Sequence, residues 1–113
     1  MGLEVIKEVY RRKSMEREKL RQGLVNDVSQ ALVRLSKKVS FEEAYIFGSL
    51  AEPNQFSEFS DIDIAFKGLD KNKLFSTISL LNRWLGRDVC VVLIEEVHFR
   101  DKILREGIKW KKY

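Results

Sequence analysis

The sequence predicts an α/β (α+β) domain in which a small mixed β-sheet carries its helices mainly on one face. Three observations lead there. The apolar period is helical up to Val39 and strand-like after it. The strand-like segments Asp61–Phe66, which alternates, and Asp88–Ile94 are joined through a helix-length stretch, the usual crossover between parallel strands. A chain of 113 residues with 44% hydrophobic residues has room for one core and little for a second domain.

The elements follow in order. Leu20, Leu24, Val25, Val28, Ala31, Leu32, Leu35 and Val39 recur at spacings of three and four, which makes one apolar helix stripe. Residues 1–19 are a charged N-terminal helical extension, either a separate helix or a continuation of the same one. Ala44–Phe47 is short, apolar and aromatic, and runs into a tight turn at Gly48-Ser49. Glu52–Ser60 holds the only proline, Pro53, and reads as a loop. Asp61–Phe66 alternates as a second strand, closed by Gly68. Asp70 can cap a helix over Lys71–Leu85, with Leu74, Ile78, Leu81 and Leu85 inward. Gly86 stops it. Asp88–Ile94 is the third strand. Phe99–Arg105 is a short helix ended by Gly107, and Ile108–Tyr113 is a tail suited to a short edge strand.

Composition narrows the functional classes. No run of apolar residues is long enough to span a bilayer, and the N-terminus has no signal-peptide pattern. The only cysteine, Cys90, can form no intramolecular disulfide, and its apolar surroundings suggest a buried thiol. These points suit the cytoplasm. The net charge of +4 would attract a nucleotide, an acidic protein face or RNA without choosing among them. The basic stretches Lys7–Arg21 and Lys109–Lys112 read as solvated faces, and nucleic acid is not the expected partner.

The chemistry lies in three acids. On a strand, residues i and i+2 share a face, so Asp61 and Asp63 point one way while Ile62 and Ile64 point into the core. Asp88 is in phase with Cys90 and Val92. If the second and third strands are parallel neighbours, all three acids lie at one sheet edge. If the first strand is antiparallel to the second, Gly48-Ser49 arrives there too. Carboxylates gathered this way repel one another unless a cation neutralises them. Hard oxygen ligands suit Mg²⁺, with Mn²⁺ as the alternative ion, and triphosphate oxygens can complete the shell.

At these residues the chain resembles the minimal nucleotidyltransferase (MNT) group of the DNA polymerase β-like nucleotidyltransferase superfamily. The matching text is Phe47-Gly48-Ser49, Ser60-Asp61-Ile62-Asp63-Ile64 and Asp88–Val92, with Ile103–Ile108 like the group's closing helix and tail. The resemblance implies the polymerase β-like fold and Mg²⁺-dependent transfer of a nucleoside monophosphate, AMP from ATP, to a hydroxyl. Gly48 and Ser49 would bind phosphate. Asp61, Asp63 and Asp88 would serve as metal ligands and catalytic acids. It also implies a HEPN-domain toxin as partner, with this chain as its antitoxin, and leaves a homo-oligomer open. Two departures stand out. The spacer between Ser49 and Asp61 is eleven residues, one more than usual, and Leu50-Ala51-Glu52-Pro53 replaces a basic turn. Arg87 and Lys67 are candidates to replace that charge. The alternative reading is a non-catalytic antitoxin that neutralises its partner by binding.

The remaining residues carry structural expectations. His98 suits a surface or capping position. Trp84 and Trp110 suit packing. Phe56 and Phe59 suit either packing or cover over a nucleotide or partner.

Overall fold

The computed structural model describes residues 2–111, the side chain of Lys111 excepted. Helix α1 runs unbroken from Leu3 to Ser36, so the charged segment continues the apolar stripe as one helix. At 1.5 Å per residue it is roughly 50 Å long. Its buried face is Leu24, Val28, Ala31, Leu32 and Leu35. Fully burying a side chain such as Leu32 contributes about 2 kcal/mol relative to exposure. No described residue before Leu24 is buried, so the first half of α1 projects from the body and stretches the molecule to 58 × 28 × 24 Å.

The sheet comprises β1 (Glu43–Phe47), β2 (Ile62–Lys67), β3 (Val89–Leu93) and β4 (Ile108–Lys111), in the order β3-β2-β1-β4. β1 is antiparallel to β2 and β4, and β2 is parallel to β3. The tail therefore pairs as the anticipated edge strand; Lys112 and Tyr113 lie outside the described residues. α2 (Leu74–Leu85) makes the β2–β3 crossover. A 3-10 turn, Lys71–Lys73, precedes it, with the Asp70 carboxylate accepting from the Asn72 N–H at 2.9 Å. Gly86, left-handed at φ 64°, closes α2 by donating to the Asn82 carbonyl. α3 (Arg100–Glu106) ends at Gly107.

Strand alternation sorts the two sheet faces. Ala44, Ile46, Ile62, Ile64, Phe66, Val89 and Leu93 join α1 and α2 in the main core. Tyr45 and Ala65 face the other way, where Ile94 and Ile103 of the α3 region cover them. Both long helices thus share one face, as anticipated, and the short α3 takes part of the other. Trp110 packs against Phe41 with centroids 5.4 Å apart, and the Arg34 guanidinium lies 4.4 Å over Trp84.

The core contains one polar misfit. Thr77, on the buried stripe of α2, is fully buried and its hydroxyl has no partner among the described residues. Thr77→Val keeps the shape and removes the stranded hydroxyl. It is expected to stabilise the protein by about 1 kcal/mol in a urea melt. A loss of stability would mean that the hydroxyl is satisfied.

Candidate active site

The site forms at the sheet edge where β1 ends and β2 and β3 begin. Asp63 stands in register with Phe47 on one side and Cys90 on the other. Asp61 immediately precedes β2 and Asp88 immediately precedes β3. The Ile62 N–H donates to the Asp88 carbonyl at 3.3 Å, which fixes the backbone of Asp88 beside Asp61-Ile62. Asp63 faces away from the main core, and Ile62 and Ile64 face into it, in the phase expected from strand alternation.

Asp63 is half-buried, and Asp61 and Asp88 are exposed. Burial first, and the charge of Asp61 second, raise the Asp63 carboxyl above its ordinary value. Both causes disfavour the charged form, and a bound cation would offset them. Gly48 shapes the other wall. Its φ of 71° is left-handed, and a Cβ there would collide with the Asp63 carboxylate oxygen. Glycine is what allows the backbone to close over that carboxylate. A 3-10 turn, Gly48–Ala51, continues from it.

The donor set fits a hard divalent cation held mainly by Asp61 and Asp63. Among the described residues, no three His, Cys, Asp or Glu side chains gather as a ready cage. Asp88 is close through its backbone without its carboxylate completing a ligand group. Mg²⁺ sites are commonly built this way, from one or two carboxylates completed by substrate phosphates.

The loop after Gly48-Ser49 is anchored to α1. Arg21 donates to the Leu50 carbonyl at 3.1 Å and pairs with Glu18 at 2.5 Å. The Asn54 N–H donates to Glu18 at 3.0 Å. Arg21 first, and then the Asn54 N–H, hold the Glu18 carboxyl down to about 2. A depressed carboxyl stabilises the fold fully above its ordinary value of 4.5, and that contribution is lost as pH falls through about 2. The stability gap between the parent and Glu18→Gln is therefore expected to shrink over that window in acid denaturation. A gap of equal size at pH 7 and pH 2 would contradict the anchor.

Phe56 and Phe59 part company. Phe56 is buried beneath the loop, whereas Phe59 is 88% exposed. Neither proposed substitute cation serves the Gly48 turn. Arg87 donates to the carbonyls of Ser60 and Glu58 and lies over the Phe56 ring. Lys67 ends β2 at the opposite edge, beside Glu42. Cys90 is exposed, correcting the buried thiol anticipated from its apolar neighbours. It occupies the open, acid-bearing face, where partial desolvation of the sulfur and then the charges of Asp63 and Asp61 raise its pKa. His98 is exposed, its ring edge-on to Phe99 at 5.2 Å.

Sequence reasoning missed Lys102. It lines a cavity of about 310 Å³ between the Gly48 turn and α3. The signal was indirect: a tail strand paired beside β1 brings the preceding helix to the end of β1.

No described helix is long and apolar enough to cross a membrane. No curated protein matches the chain. Among solved structures, a toxin–antitoxin with AMP-PNP is similar at 23% identity and TM-score 0.61, over 74% of this chain and 73% of that one. An MntA-HpeT toxin–antitoxin mutant is similar at 21% and 0.61, over the same shares. A protein assigned as a nucleotidyltransferase from Sulfolobus solfataricus is similar at 24% and 0.54, over 88% of this chain and 87% of that one. These likenesses show a shared fold. The family model for Polymerase beta, Nucleotidyltransferase matches residues 30–110, a span that contains β1 to β3, the Gly48 turn and all three acids, and the chain belongs to that family.

Proposed function

We propose that this chain is an antitoxin that transfers AMP from ATP to a hydroxyl of a HEPN-domain toxin. The observation that carries the reading is the Asp63 carboxylate, half-buried against Gly48 with the charge of Asp61 beside it and, among the described residues, no ion pair to either acid. Two similar structures support the biological setting. One is a toxin–antitoxin with AMP-PNP, an analogue of ATP. The other is a toxin–antitoxin in which two aspartates two positions apart, the spacing of Asp61 and Asp63, are changed to glutamate.

Asp61 and Asp63 would hold Mg²⁺, which supplies charge neutralisation of the triphosphate and of the leaving pyrophosphate. Gly48 and Ser49 present backbone N–H groups and a hydroxyl to phosphate oxygens. Asp88, on the β3 side, accepts the proton of the acceptor hydroxyl. The acceptor oxygen bonds to the α-phosphorus, the bond from that phosphorus to the β-bridging oxygen breaks, and pyrophosphate departs. The protein positions the reactants in line and sets the charge around them.

Incubation with α-labelled ATP, Mg²⁺ and a HEPN-domain partner is expected to label that partner. Equal labelling by the parent and by a variant carrying both Asp61→Asn and Asp63→Asn would overturn the transferase reading. A second reading, neutralisation by binding alone, rests on Leu50-Ala51-Glu52-Pro53, which puts an acid where the phosphate turn would hold a base. Partner inhibition that survives both Asn substitutions, with no label transferred, would establish it.

A further inference from the structure

We propose that the projecting half of α1 is a self-association surface, on which two copies of this chain pair antiparallel. It stands apart from the nucleotide reading. The starting point is the stripe that carries α1 into the core. Leu24 is buried, and Leu20 packs partly against the same core. Stepping back by three and four gives Arg17, Lys13, Tyr10, Ile6 and Leu3, so one helix face continues past the body. No described residue covers it there: Leu3 is 72% exposed, Ile6 67% and Tyr10 69%. This arm precedes residues 30–110, the span that the family model matches.

The face has two unlike parts. Its tip, Leu3 and Ile6 with Tyr10, is an apolar ridge. Its base is one wall of a groove of about 570 Å³, with Lys13, Arg17 and Leu20 on the helix and Ser57–Phe59 opposite. The Phe59 ring is left open to solvent on that second wall. Because α1 is one unbroken helix, a molecule's own tip cannot fold back into its groove. The tip of a second copy can. The fit is reciprocal: one isologous contact fills both grooves and covers both tips.

Register and charge agree with this pairing. When Leu3 of one copy lies on Leu20 of the other, antiparallel order puts Ile6 on Arg17 and Tyr10 on Lys13. The arms then overlap for roughly 26 Å. Each seam cation meets an apolar or aromatic neighbour, the Arg17 stem against Ile6 and the Lys13 ammonium against the Tyr10 ring. Parallel pairing in register would instead set Lys13 on Lys13 and Arg17 on Arg17, which repel. A nucleic acid or an anionic membrane fits this arm less well. Glu4, Glu8 and Glu16 interrupt its basic residues, and Glu8 pairs with Arg11 at 2.6 Å and with Arg12 at 3.9 Å.

Sedimentation equilibrium of the full chain without nucleotide, over a range of concentrations, tests the proposal. The parent is expected to pass from monomer to dimer as concentration rises. Tyr10→Lys, at an exposed position, sets two cations face to face and is expected to weaken dimerisation about tenfold with the thermal midpoint of the fold unchanged. Adding Lys13→Glu to that variant is expected to restore association. Leu3→Cys and Leu20→Cys chains, each also carrying Cys90→Ser, should form a disulfide with one another when mixed and oxidised. A parent that stays monomeric at every concentration would overturn the proposal and leave the arm to a different protein. A dimer indifferent to Tyr10→Lys, or one that Lys13→Glu fails to restore, would refute this contact and its register. Leu3→Cys chains that link to themselves in preference to Leu20→Cys chains would refute the antiparallel order.

Discussion

Replacing Asp61 and Asp63 together with asparagine is expected to lower AMP transfer on the order of a thousandfold, while the metal-free protein stays as stable as its parent or becomes more so. The two halves have one cause. Burial disfavours the Asp63 charge, and repulsion from Asp61 adds to that cost. Amides keep the shape and remove that repulsion, so the thermal midpoint without Mg²⁺ should hold or rise. The same change removes the negative oxygens that would hold the metal. A thousandfold corresponds to about 4 kcal/mol of transition-state stabilisation, within the range for an electrostatic group acting on the reacting centre. Added Mg²⁺ should raise the midpoint of the parent and leave the variant unmoved. A variant that unfolds without Mg²⁺ would mean that the acids support the fold.

Gly48→Ala is expected to have the second-largest effect, and here stability and binding fall together. A left-handed backbone costs a non-glycine residue about 1–2 kcal/mol. The new Cβ would also press on the Asp63 carboxylate, so either Asp63 turns away or the turn reopens. Urea denaturation should show a destabilisation of about 2 kcal/mol. Affinity for Mg²⁺–ATP should drop at least tenfold. Normal affinity with normal stability would show that the turn relaxes without consequence, and the close approach to Asp63 would lose its functional meaning.

Much of this was legible in the sequence because it depends on period and connectivity. Alternation fixed the phase of Asp63 against Ile62 and Ile64. A helix-length crossover pointed to parallel β2 and β3, and the antiparallel pairing of β1 with β2, taken only as a condition, is the one observed. Together these bring Gly48 and the acids to one edge before any side chain is placed. What escaped depends on packing across long sequence separations. Cys90 lies in an apolar run, but open strand faces expose alternate residues whatever their neighbours. Arg87 and Lys67 are cations in the right stretch of sequence, yet the first is consumed by carbonyls of the Ser57–Ser60 segment and the second sits at the wrong end of β2. Lys102 lines the same cavity as the Gly48 turn only because β4 pairs with β1 and carries α3 there. The unity of α1 was open for a different reason. No described residue of its first half is fully buried, so no apolar stripe marks it as the same helix.

The central claim is that Asp61 and Asp63 bind a nucleoside triphosphate through a divalent cation. Calorimetric titration of a non-hydrolysable ATP analogue, with and without Mg²⁺, into the parent and the Asp61→Asn/Asp63→Asn variant tests it most directly. The account predicts saturable binding by the parent that requires Mg²⁺ and is lost in the variant. Binding that ignores Mg²⁺, or that survives both substitutions, would contradict it.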